Sequence, residues 1–129
     1  MDLFSYSLVL VPIHLGLHWS LAALDMDAKS ITYYDSMGVN NEAALTELAD
    51  YLCEEHKAKK ETELDMSEWK KVIAENIPQQ MNGSDCGMFA CKFAEYLSRR
   101  ARFTFSQSNM DYFRKRMIYE ICTNQIMHP

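Results

Sequence analysis

The chain has 129 residues, a mass of 15.0 kDa and a formal net charge of −5, which leaves room for one core and not two. Hydrophobic residues make up 48% and charged residues 24%, with only 4 Gly and 3 Pro, a composition that excludes disordered, collagen-like and linker-like chains. Residues 1–52 carry one base, Lys29, against seven acids, and residues 76–129 carry seven bases against four acids; the short basic clusters Arg99-Arg100 and Arg114-Lys115-Arg116 lack the electrostatic footprint of a nucleic-acid binder.

The elements follow in chain order. Leu8 to Val11 is a continuous apolar run before Pro12 and Gly16, as in a buried strand. The whole run to Ile13 is far too short for a membrane span, and Asp2 stands where a secretory leader would be basic. The expectation is a soluble intracellular domain. His18 to Leu24 and Ser30 to Tyr34, joined by the turn-like Asp25-Met26-Asp27-Ala28-Lys29, form a hairpin. A turn centred near Asp27 gives paired residues an index sum of about 53 to 55. His18 then lies opposite Asp35, Ser36 or Met37, and only the first register sets it directly beside Asp35.

Asn40-Asn41 supply an N-cap before a helix running to about Lys59, with Leu45, Leu48, Ala49 and Leu52 as its apolar stripe. Lys59 to Ser67 is an exposed charged loop, and Trp69 to Ile77 reads equally as a short helix or a strand. The polar loop from Gln79 to Asp85 leads into a buried helix from Cys86 to about Ser98. Ser108 and Asp111 form a capping box for a last helix whose stripe is Met110, Phe113, Met117, Ile118 and Ile121. Strands followed by helices define an α+β class.

Four cysteines, Cys53, Cys86, Cys91 and Cys122, contain no Cys-x-x-Cys pair and read as free thiols. Cys86 opens a helix after Gly83-Ser84-Asp85. There it is either a buried structural thiol or a nucleophile whose thiolate faces unpaired N–H groups and the positive helix end. His18 is either a strand histidine satisfied by the backbone or the base, with Asp35 as its orienting carboxylate. Gln80 is an ordinary loop amide or an oxyanion donor beside the Cys86 N–H. Trp19, alternating away from His18, is most simply a core residue. His14 and His18 have the spacing of a helical zinc pair, but they span Gly16 in a strand context, so no metal is expected.

His18-Trp19, Ile31-Thr32-Tyr33-Tyr34-Asp35-Ser36 and Pro78-Gln79-Gln80-Met81-Asn82-Gly83-Ser84-Asp85-Cys86-Gly87-Met88-Phe89 together resemble the SUMO/sentrin-specific cysteine proteases. The nearest likeness is to the subgroup of sentrin-specific proteases 1 and 2, and Val11 to Gly16 and Tyr112 to Met117 support it. The resemblance implies a papain-like α+β fold without a cofactor. It makes Cys86 the nucleophile, His18 the base, Asp35 its carboxylate and Gln80 the oxyanion donor. Trp19 becomes one wall of a tunnel for a Gly-Gly tail, and His14, Gln79 and Ser84 line the cleft. It implies SUMO precursors and SUMO–lysine isopeptides as substrates, and a nuclear location. The rival readings are a non-catalytic SUMO-binding module and a protease for another ubiquitin-like protein. Family domains carry a substantial portion before this point. Residues 1–129 are therefore expected to be a single partial catalytic domain, its C-terminal portion, with low activity unless an N-terminal segment is supplied.

Overall fold

Turn chemistry and alternation build the first half of the molecule. The computed structural model describes residues 1–127, in which β1 (Leu8–His14), β2 (Trp19–Asp25) and β3 (Ser30–Tyr34) form an antiparallel meander. Asp25 shapes the β2–β3 turn, its Oδ1 accepting the N–H groups of Asp27 and Ala28 at 3.1 and 2.9 Å. The pairs Leu21–Tyr34 and Leu24–Ile31 give an index sum of 55. Of the three registers the sequence allows, this is the one that directs His18 toward Met37. Asp35 then lies two residues along on the same face, a diagonal neighbour of His18.

Odd and even positions of the strands serve different cores. Leu24, Ile31 and Tyr33 point to one face with Val9 and Val11, under helix α1 (Glu42–Lys60) and its buried Leu45, Ala49 and Leu52. Leu10, Leu21 and Tyr34 point to the other face, under α2 (Cys86–Ser98) and the start of α3 (Met110–Thr123). Phe89, Phe93, Tyr96, Phe103, Phe105 and Phe113 fill this second core, with neighbouring ring centroids 5.0–6.1 Å apart. The ambiguous stretch after Trp69 is a strand, β4 (Lys70–Ile73). It pairs parallel to β3, so α1 is a crossover and the sheet order is β1-β2-β3-β4.

Three local expectations are corrected. The capping box is Ser106 with Asn109, not Ser108 with Asp111: Asn109 Oδ1 accepts the Ser106 N–H at 2.9 Å and a 3₁₀ turn (Gln107–Asn109) precedes α3. Ile118 and Ile121 are 65% and 73% exposed, because α3 meets the core only through Met110, Phe113 and Met117. Trp19 is 42% exposed rather than core, since it stands at the first position of β2, where the sheet ends.

Candidate active site

The chemistry-bearing residues collect at the end of the sheet where β2 begins and β3 has just ended. His18 Nε2 bonds Asp35 Oδ1 at 2.8 Å. Asp35 is only 3% exposed, and two further donors satisfy its carboxylate: the Met37 N–H at 2.7 Å and the Tyr33 hydroxyl at 3.2 Å. Burial pushes the Tyr33 hydroxyl above its ordinary pKa, which keeps it a donor to that carboxylate. The turn closes with the Gly38 N–H on the Asp35 carbonyl at 3.0 Å, Gly38 taking φ +72.

Cys86 is the first residue of α2, and its Sγ accepts the Trp19 backbone N–H at 3.5 Å. The residue next to His18 thus lies against the thiol. Cys86 lines a cleft of about 530 Å³ with Trp19, Leu21, Ser84, Met88 and Arg114. The Trp19 ring leans on His14, with centroids 4.5 Å apart. Cys91 is a free thiol farther along the same cleft, and Cys53 and Cys122 carry free thiols elsewhere.

The loop before Cys86 is held by side chains rather than by a ladder. Asn82 Oδ1 accepts the N–H groups of Ser84 and Asp85, both at 3.0 Å. The Asp85 carboxylate accepts Asn82 Nδ2 at 2.8 Å, Gln107 Nε2 at 2.9 Å and Arg114 Nε at 2.9 Å, with Arg114 Nη2 closing the fork. Those bonds, from Asn82 first, then Gln107 and Arg114, hold the Asp85 carboxyl down at about 2. Gln107 Oε1 also accepts the Met81 N–H at 2.8 Å.

Gln80 is tied to the acid-bearing turn. Its N–H donates to the Ser36 carbonyl at 2.8 Å, and its Oε1 accepts the Ser36 hydroxyl at 2.5 Å. Its Nε2 donates to the Asn82 carbonyl at 2.6 Å, leaving one amide hydrogen unspent. Ser84 lies on the Cys86 cleft, whereas Gln79 lines a separate cavity of about 270 Å³ with Asp35, Gly38 and Ile73. Neighbouring residues of an extended segment point to opposite sides, which separates Gln79 from Gln80. Tyr33, Ser36, Gln107 and Arg114 are the site neighbours that sequence reading missed. Alternation alone marks Tyr33, two residues before Asp35 and on its face.

A buried thiol at a helix start and a hydrogen-bonded imidazole–carboxylate pair, on an α+β scaffold, define a papain-like arrangement. The chain belongs to the Ulp1 protease family: residues 1–126 match the model of its C-terminal catalytic domain. It is 47% identical over 126 residues to a sentrin-specific protease of Caenorhabditis elegans and 46% identical over 128 residues to sentrin-specific protease 2 of Mus musculus. Each match covers 98% of this chain, but only 18% and 22% of those proteins. The C-terminal Ulp1 protease domain, solved in complex with Smt3, the yeast orthologue of SUMO, superposes with a TM-score of 0.84 at 29% identity. That match covers 96% of this chain and 56% of the solved one. Another Ulp1 structure, with its catalytic cysteine oxidised to a sulfonic acid, gives 0.83 over the same shares.

Proposed function

We propose that this protein is a thiol protease that cleaves after the Gly-Gly end of SUMO, in precursors and in SUMO–lysine isopeptides. The observation that carries the reading is the placement of the Cys86 thiol against the backbone of Trp19, one residue from an imidazole fixed on a buried carboxylate. Because Nε2 of His18 is spent on Asp35, Nδ1 takes the thiol proton and later returns it to the leaving amine. The Cys86 sulfur adds to the glycyl carbonyl, and the oxyanion so formed takes the Cys86 N–H and the free Gln80 amide hydrogen. Collapse breaks the C–N bond and leaves a thioester, which water, deprotonated by His18, then hydrolyses. The half-exposed Trp19 ring supplies a flat wall for the two glycines, which carry no side chain to obstruct it. The nuclear location expected from the resemblance belongs to the same reading, and imaging the tagged protein in its own cells tests it.

The test is a SUMO whose C-terminal glycine carries a thiol-reactive electrophile. A one-to-one adduct on Cys86 is expected, with none on Cys86→Ala. An adduct that persists in Cys86→Ala, or no adduct on the protein even with an N-terminal segment supplied, overturns the assignment. Matching probes built on other ubiquitin-like proteins set the specificity.

A further inference from the structure

Helix α2 starts in an unusual way. Its N-cap residue is Asp85, one of the best capping residues, yet the Asp85 side chain makes no bond to the helix it precedes. Its backbone sits at φ −95, ψ 8 rather than in the extended region a capping residue takes. The carboxylate is turned instead toward α3, where Arg114 grips it through Nε and Nη2 and Gln107 adds a third donor. Arg114 Nη2 also reaches the Ser84 carbonyl at 3.3 Å, and the guanidinium lines the same cleft as Cys86.

From this we infer that Arg114 is a positioning residue for the nucleophile: it draws the Asp85 carboxylate off the start of α2 and neutralises it, leaving the positive helix end to the Cys86 sulfur. The inference rests on reading Cys86 as the nucleophile.

The electrostatics follow from where each charge stands. From the β2–β3 side come His18, next in the chain to the Trp19 whose N–H meets the thiol, and Asp35 bonded to that imidazole. From β1 comes His14, stacked on Trp19. From its own element come Asp85 and, farther along the cleft, Cys91; from α3 comes Arg114. Asp35 is matched by His18 when the imidazole is protonated, and Asp85 is matched by Arg114. Without the guanidinium, the Asp85 charge is unbalanced one residue from the sulfur and free to swing onto the N–H groups of Gly87 or Met88. Both effects disfavour a thiolate at that helix start.

The experiment is alkylation of the folded protein by iodoacetamide at pH 7, read on the Cys86 peptide by mass spectrometry with exposed Cys122 as the internal reference. In the unmodified protein Cys86 is expected to react faster than Cys122. Arg114→Gln should slow Cys86 about 10-fold relative to Cys122, because the unbalanced Asp85 carboxylate disfavours negative charge on the neighbouring sulfur. Arg114→Lys keeps the charge without the fork and should fall between the two. The pair Asp85→Asn with Arg114→Gln should recover most of the lost rate, an outcome that general loosening of the loop does not produce. An unchanged Cys86 rate in Arg114→Gln, or no recovery in the pair, overturns the inference. If Arg114→Gln does not fold, Asp85→Asn alone decides: its Cys86 rate should equal or exceed the unmodified one, and a fall overturns the inference. A Cys86 that reacts no faster than Cys122 in the unmodified protein overturns the nucleophile reading and this inference together.

Discussion

Helix α1 begins with its N-cap side chain bonded to the helix, while helix α2 begins with its N-cap side chain bonded to everything else. Asn41 Oδ1 accepts the Ala44 N–H at 3.1 Å, and Lys57, Lys59 and Lys60 complement the far end of α1. Asp85, at the corresponding position of α2, gives its carboxylate to Asn82, Gln107 and Arg114. Both helices bury an apolar face against the same sheet, so packing does not explain the difference. What differs is the first residue: Glu42 in α1 and Cys86 in α2. A helix whose only task is to support the sheet closes its own end. Helix α2, whose first residue is the proposed nucleophile, leaves that end open and has the preceding loop held by other elements.

The sharpest way to test the open end is to remove the group proposed to share it. Gln80→Ala takes away the second oxyanion donor while leaving Cys86, His18 and Asp35 in place. With a SUMO precursor as substrate, kcat should fall on the order of 10²–10³-fold with little change in KM. Alkylation of Cys86 by a small reagent should be untouched. A KM effect alone would mean that Gln80 only holds the loop against Ser36.

Acid titration probes the same end with a smaller effect. Asp85 is 6% exposed, and its carboxyl lies at about 2, below the 3.8 of the unfolded chain. Its network therefore stabilises the fold fully above the unfolded value, and the contribution is lost as pH falls from about 4 through 2. The depression corresponds to about 2 kcal/mol. Denaturant titrations at pH 4.5 and 2 should show the unmodified protein losing about that much more than Asp85→Asn, which has no carboxyl to protonate. Equal losses would mean the network is not proton-linked.

The two helix starts were also unequally legible. Asn41, an apolar stripe three to four residues apart and a basic last turn announce α1 within nineteen residues. The Gly-Ser-Asp-Cys-Gly loop announces where α2 begins, but not what holds the loop. Gln107 and Arg114 reach Asp85 from 22 and 29 residues downstream, and no local pattern records such a contact. Short β4 was ambiguous because Lys70 and Lys71 leave it no apolar alternation, as suits a charged edge strand. The sequence narrows the hairpin to three registers. His18 meets Asp35 diagonally rather than directly, a contact that depends on the chain leaving the ladder at both residues. The stripe on α3 misled because helical periodicity reports that a face exists, not how far a partner extends along it; Ile118 and Ile121 lie past the end of theirs.

The smallest expected effect belongs to the closed helix start, and it is the control for the rest. Asn41→Ala removes the side-chain oxygen that accepts the Ala44 N–H, leaving that group to water. Loss of such a cap costs about 1 kcal/mol. The helix stands on the sheet face opposite Cys86, packed on Leu24, Ile31 and Tyr33. Its core contacts through Leu45, Ala49 and Leu52 are untouched by the change. Denaturant unfolding should therefore show an unfolding free energy lower by about 1 kcal/mol with an unchanged slope, while Cys86 alkylation and SUMO cleavage stay at the unmodified rates. Tyr33 gives the experiment its edge, because it lies under α1 and donates to Asp35. If Asn41→Ala slows cleavage while the protein remains folded, the two faces are coupled through Tyr33, and α1 is part of the catalytic support rather than a separate prop.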